Sequence, residues 1–179
     1  MTSLQTIISR KVNPIEKAVL SVCSINAGRF NAPNVIPAEV TLSGTVRTFN
    51  EDVRDLIEKE MNRMVKGVAE ANGCTVDFRY DRLVSSVYND PKTTAAMCDF
   101  VKRQFGEAYA VEGFPMSMGG EDFAEYQRKI PGSVIRLGVR DETHQVSIHN
   151  PTFDFNDEVI AVGATLLSGI ALERLAALA

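Results

Sequence analysis

The sequence predicts a mixed α/β chain in two regions, and three patterns carry that prediction. Residues 1–85 switch between helical and period-two apolar spacing in the order helix tail, strand, strand, helix, strand. Residues 86–179 set capped helices around one short apolar run, which reads as part of an α/β layer structure. Between them, Asn89-Asp90-Pro91 marks a change of character near residues 85–90. One further strand ahead of the first helix would complete a ferredoxin-like βαββαβ order. The expectation is therefore a ferredoxin-like unit lacking its first strand, followed by a second α/β region.

Each element has its own signal. Leu4, Ile7 and Ile8 lie at helical spacing, as in the tail of a helix. Ala18–Ala27 (AVLSVCSINA) reads as a strand. Gly28–Pro37 is a loop punctuated by two prolines and two asparagines. Val40, Leu42, Gly44 and Val46 alternate with polar residues, so a half-buried strand carries Arg47 on the face opposite the apolar set. Asn50 caps a helix whose apolar stripe runs from Val53 to Val68, and Gly73 stops it. Cys74–Val84 alternates again and predicts a strand. Asp90 and Pro91 open a helix that Gly106 ends. Gly113–Gly120 is a loop, Glu121–Lys129 a short helix and Ser133–Val139 a buried strand. An irregular loop from Asp141 to Phe155 holds both histidines, and Asn156–Leu178 closes the chain as a helix.

Composition narrows the function classes. A net charge of −4 argues against nucleic acid or an anionic membrane as the main partner. No apolar run is expected to reach the roughly 18 residues of a spanning helix, and the N-terminus lacks a signal-peptide core. Cys23, Cys74 and Cys98 are odd in number and widely spaced, which fits a reduced, cytoplasmic protein. Cys23 and Cys98 fall on elements expected to face a core. The most informative count is histidine: His144 and His149 are the only two.

Three segments are richer in functional residue types than their structural roles require. In the first, Asn34 precedes a stiff Val-Ile-Pro turn and Arg47 offers a fork suited to a carboxylate. The plain alternative is a turn residue and a solvated strand charge. In the second, Gly119-Gly120-Glu121-Asp122 places two flexible residues before an acid pair. That pair suits helix capping or the outer support of a metal ligand. In the third, His149 stands in a loop between a predicted strand and a helix, where an imidazole is well placed to bind a metal. A surface or packed histidine is the alternative.

In combination these segments resemble the aminoacylase/carboxypeptidase-type metallopeptidase family, with greatest likeness to its hippurate hydrolase and auxin-conjugate hydrolase subfamily. LQTIISRKVNP, AGRFNAPNVIP with SGTVRTF, NDP, MGGEDFAEY and HNPTFDFND carry the likeness. The resemblance implies a lid, or dimerisation, domain at residues 1–85. Residues 86–179 would be the C-terminal portion of a zinc-peptidase-like catalytic domain. It implies His149 as a metal ligand, Asn34 and Arg47 as holders of the substrate carboxylate, and Gly120, Glu121 and Asp122 as site-lining residues. His144 has no counterpart in it.

It also implies chemistry that the chain does not supply alone. Relatives cleave the amide of N-acyl-amino acids with two divalent ions (zinc, manganese or cobalt) that activate a water, and a glutamate takes the water's proton. That glutamate and the other ligands belong to a segment expected ahead of Met1. The isolated chain is therefore expected to be inactive and to hold no metal tightly. A homodimer paired through the lid is the expected assembly. The competing reading is a non-catalytic dimerisation or interaction module.

Overall fold

The computed structural model describes residues 1–177. The chain divides into two compact units, Met1–Ser86 with Ser117–Ala124, and Val87–Met116 with Glu125–Ala179.

The first unit contains α1 (Thr2–Lys11), β1 (Ala18–Ala27), β2 (Val40–Thr48) and α2 (Glu51–Ala71). β1 and β2 pair antiparallel, with Leu20 opposite Val46 and Val19 opposite Arg47. The register shifts between Val22 and Ser24, so Cys23 sits at a bulge with no partner across the ladder. This corrects the expected core position of Cys23, which is exposed. Val22 lies opposite Gly44, where a Cβ would collide with the Ser21 carbonyl oxygen.

One face of this hairpin packs on the two helices. Leu4, Ile7, Val12, Leu20, Val53 and Ile57 form the core, and Val46, Met61, Met64 and Val65 close over it. The α2 start follows from its cap: Asn50 Oδ1 accepts from the Asp52 N–H at 2.9 Å, and Glu51 and Asp52 favour the positive end of the dipole. Its end follows from Gly73, whose φ of +66° is the left-handed form that glycine adopts without strain.

Residues 74–84 correct one expectation. They form no ladder, and the sheet has two strands. Period two is nonetheless real there: half-buried Phe78 and Tyr80 alternate with exposed Asp77, Arg79 and Asp81. The segment spends its contacts on α2 instead of on a strand. Arg82 pairs with Asp55 at 2.7 Å and with Glu58, and the Val84 carbonyl accepts from Arg54 at 3.3 Å. The alternation thus reports a side against α2 and a side toward solvent. A ladder would need a free strand edge, which alternation does not provide.

The second unit is built on α3 (Pro91–Phe105), a 3₁₀ turn at Glu107–Tyr109 and α5 (Val159–Ala176); the short helix α4 (Phe123–Gln127) precedes α5 in the chain. Asp90 caps α3 by accepting from Thr93 N–H at 2.8 Å. Phe100 and Leu166 are buried. At Gly169 a Cβ would collide with the Phe100 ring, so α3 and α5 meet where α5 has no side chain. Arg103 and Glu173 pair across the same two helices at 2.7 Å.

Residues 133–139 are not a strand either. The Asn89 side chain takes the strand's place there: its Oδ1 accepts from Val134 N–H at 2.9 Å and its Nδ2 donates to the Val134 carbonyl at 3.2 Å. The helix expected over 121–129 is shorter, because the Glu121 side chain accepts from Phe123 N–H at 3.3 Å and ends the preceding loop. α5 starts three residues after the expected cap. Asn156 Oδ1 accepts from Glu158 N–H at 2.8 Å within a turn that precedes the helix. The expected helix end at Leu178 lies outside the described residues.

α5 also revises the reading of apolar runs. Its 18 residues are long and apolar enough to cross a membrane by length and composition. Ile160, Leu167, Leu172 and Leu175 are all exposed on it. Gly163, Ser168 and Gly169 break the apolar run in sequence but not the helix.

Candidate functional site

In the first unit, the predicted carboxylate anchors sit in and beside the hairpin. Asn34 is exposed in the β1–β2 connection, in a turn where the Val35 N–H donates to Ala32 O at 3.1 Å. Arg47 is exposed near the end of β2. Seven residues of strand separate Val40 from Arg47, about 23 Å at about 3.3 Å per residue. The two candidate anchors therefore leave β2 from opposite ends.

Arg47 is not a bare solvated charge. Its Nη1 donates a hydrogen bond to the Met118 carbonyl, 71 positions along the chain. This brings the guanidinium onto the segment that continues through Gly119, Gly120, Glu121 and Asp122. Glu121 and Asp122 are exposed there. A Cβ on Gly120 would make ordinary contact with Val84 Cγ2 at 3.5 Å, so packing alone does not demand glycine at that position.

In the second unit, His149 is the one non-glycine residue with positive φ among the described residues, at +67°. An L-residue in this conformation costs about 1–2 kcal/mol, and such outliers gather at functional positions. The surrounding loop imposes it: Asn150 Oδ1 accepts from Thr152 N–H at 3.0 Å and from its hydroxyl at 2.9 Å, and Phe153 N–H donates to the Asn150 carbonyl at 2.9 Å. The imidazole is exposed.

The sequence reading missed a polar knot in the same loop. His144 Nδ1 lies 2.8 Å from both carboxylate oxygens of Asp141. The amides of Thr143 and His144 donate to Asp141 Oδ1 at 2.8 Å each, and Asn156 Nδ2 donates to Oδ2 at 2.9 Å. These bonds, those from the His144 ring first, hold the Asp141 carboxyl well below the usual carboxylate range. The available signal was Asp-x-Thr, a local turn motif in which an aspartate bonds backbone two residues on. A small cleft of about 220 Å3 opens beside it, lined by Arg140, His144, Ser147, Ile148, Phe153 and Asp154.

The cysteines offer no nucleophile signature. Burial pushes the Cys98 thiol up, away from thiolate character. Among the described residues, no three His, Cys, Asp or Glu side chains are grouped so that they could hold a metal ion. The residues present do not by themselves fit the divalent ions that the resemblance implies; His149 is a lone imidazole.

With this geometry in view, the comparisons are specific. The description "Peptidase family M20/M25/M40" matches residues 6–173. A Bacillus subtilis protein named as an amidohydrolase, YhaA, is 38% identical over 174 residues, covering 96% of this chain and 43% of that protein. The N-acetylcysteine deacetylase of Bacillus subtilis is 31% identical over 172 residues, again 96% and 43%. A crystal structure described as an aminohydrolase from methicillin-resistant Staphylococcus aureus matches with a TM-score of 0.79 at 29% identity, covering 96% of this chain and 44% of that one. The chain thus spans less than half the length of the curated relatives it matches. A match that runs through β1, β2, the Gly119–Asp122 segment and the His149 loop leaves one conclusion: the chain belongs to peptidase family M20/M25/M40.

Proposed function

We propose that this chain is the substrate-anchoring and ligand-supplying part of a metal-dependent amidohydrolase that cleaves N-acyl-amino acids, with hippurate-like compounds as the substrate class. The observation that carries the reading is the bond from Arg47 to the Met118 carbonyl. It fixes a guanidinium fork beside the Gly119–Asp122 segment in a chain of this family. A fork held from one side keeps its remaining N–H groups for a carboxylate. Asn34 offers a neutral donor at the far end of the hairpin, away from the group that Arg47 holds, and Glu121 and Asp122 line the site. His149 supplies one imidazole. Residues 1–85 act as the lid, with a two-stranded hairpin in place of a full ferredoxin-like sheet, and residues 86–179 as the end of the catalytic domain. The location is cytoplasmic.

The names of relatives support the reaction class. Two relatives are named as deacetylases, one of N-acetylcysteine and one, from Enterococcus faecalis, of N-acetyldiaminopimelate at 32% identity. The test is complementation. The chain is co-purified with the remaining, N-terminal part of the Bacillus subtilis relative and assayed on hippurate with zinc, manganese or cobalt. Turnover that falls at least about tenfold in both Arg47→Lys and His149→Ala supports the reading, the lysine being unable to reproduce a planar fork. Turnover indifferent to both substitutions refutes it.

A second reading is a module that pairs with another copy through the lid; the exposed apolar side chains Val19, Ile25, Val40 and Leu42 on its hairpin favour it. Gel filtration decides this: a homodimer supports it, and a monomer at all concentrations refutes it.

A further inference from the structure

We infer that the exposed apolar face of α5 and the extended residues 135–139 beside it form one docking surface, and that its occupant is a β-strand edge with an apolar cover. That occupant comes from the length of the relatives that this chain does not span. The placement rests on the reading of residues 86–179 as the end of a catalytic domain and adds which surface completes it. Its test reads burial, not turnover.

α5 presents no charged side to solvent. Ile160, Ala164, Leu167, Ala171 and Leu175 recur at the spacing of one helix face, and all five are exposed. The two charges of the helix, Glu173 and Arg174, stand near its end. Thr165 and Ser168 turn their hydroxyls back onto the carbonyls of Ala161 and Ala164, at 2.8 Å and 2.7 Å, so their polarity is spent within the helix. The other side is already occupied: Leu166 is buried, Gly169 admits the Phe100 ring and Glu173 pairs with Arg103. A helix resting on one neighbour keeps charges on its far side, whereas one that is apolar all round is enclosed.

The segment beside α5 is open as well. Leu137 packs at Gly163, where an added Cβ would come within 3.3 Å of Leu137 Cδ2. Gly163 stands three residues from Ile160 and four from Leu167, so a sheet continued from Leu137 runs under the apolar face. Val134 has the Asn89 amide as its backbone partner. From Ile135 to Val139 no backbone hydrogen bond is made among the described residues. Ile135 and Leu137 are exposed. An extended apolar run with open N–H and C=O groups is a strand without its neighbour. A bilayer would cover α5 but leave those groups unpaired. Relatives have the length to do both: this chain spans 43% of YhaA and 44% of the solved aminohydrolase, and the family match runs through α5 to residue 173.

The whole chain is compared alone and in a hybrid, where it replaces the matched 174 residues of YhaA. Amide exchange of 135–139 and α5 is read in both, with and without Leu167→Lys, at a position 77% exposed here. In the hybrid, amides 135–139 are expected to exchange at least about a hundredfold more slowly. Leu167→Lys changes α5 exchange less than about threefold in the chain alone and speeds it at least about tenfold in the hybrid, where it sets an unpaired charge in an enclosed face. Equal exchange of 135–139 in both forms overturns the inference, as does a lysine tolerated equally in both. If the hybrid fails to fold, the uncovered part of YhaA is expressed as a separate chain: co-purification lost in Leu167→Lys supports the surface, and no co-purification overturns it. Protection of both segments in a dimer of the chain alone assigns the face to a second copy and overturns it. Protection of α5 by phosphatidylcholine vesicles, with 135–139 still open in the hybrid, assigns it to a membrane and overturns it. A hybrid that shows the protection without hydrolysing hippurate leaves the surface standing and counts against the amidohydrolase reading alone.

Discussion

Replacing Ile57 with alanine probes the packing that holds the hairpin on its helices. Ile57 is fully buried, as is Ile7 of α1, in a core of six buried side chains. The substitution removes three carbons, about 2.4 kcal/mol at about 0.8 kcal/mol per buried methylene. The cavity left behind raises the cost to about 3–4 kcal/mol, within the range of about 2–5 for such deletions. A unit of this size has about 4–13 kcal/mol of total stability. One side chain thus carries a large share of the margin. Amide exchange of α2 is the assay, because it reads this unit separately while a two-unit chain need not unfold in one step. Ile57→Val should cost about 1 kcal/mol, and Leu83→Ala, at an 83% exposed position, less than about 0.5 kcal/mol. If Ile57→Ala costs no more than Leu83→Ala, the core described here is not what holds the unit together.

Other expectations follow from single observations. Asn50→Ala removes the cap on Asp52 N–H and should weaken α2 by about 1 kcal/mol, read from exchange of its first-turn amides. Gly44→Ala drives a methyl group into the Ser21 carbonyl and should cost about 1–3 kcal/mol, with loss of the β1–β2 cross-strand NMR contacts. Glu60, Asp90 and Asp141 are all held below ordinary carboxylate values, by Arg63, Thr93 and His144 respectively. Their ionised forms are favoured by folding, so their stabilisation is complete above about pH 5 and fades as pH falls through the lowered values. Urea midpoints should be flat from about pH 7 to 5 and fall below about pH 4; midpoints that rise on acidification would contradict this.

Capped and periodic elements were legible in the sequence because their signals are local. β1 matches its predicted bounds, and the caps at Asn50 and Asp90 both accept the expected type of amide bond. The two absent strands show the limit of such signals. Alternation at 74–84 comes from one side resting on α2, and at 133–139 the Asn89 amide replaces a neighbouring strand; both partners are long-range. The candidate site divides in the same way. Arg47, Glu121 and His149 could be chosen by residue type and resemblance. The Arg47–Met118 bond could not, because it joins residues 71 apart. Neither could the Asp141–Asn156 hydrogen bond, whose two ends looked like a loop residue and a helix cap.

The proposed role gives these residues one imidazole and a carboxylate anchor of an amidohydrolase, and among the described residues no group could hold a metal alone. The decisive assay is hydrolysis of hippurate by the purified chain, with zinc, manganese or cobalt added in turn. No turnover above the metal-only background is expected. Turnover that rises in proportion to the chain and disappears in His149→Ala would contradict it.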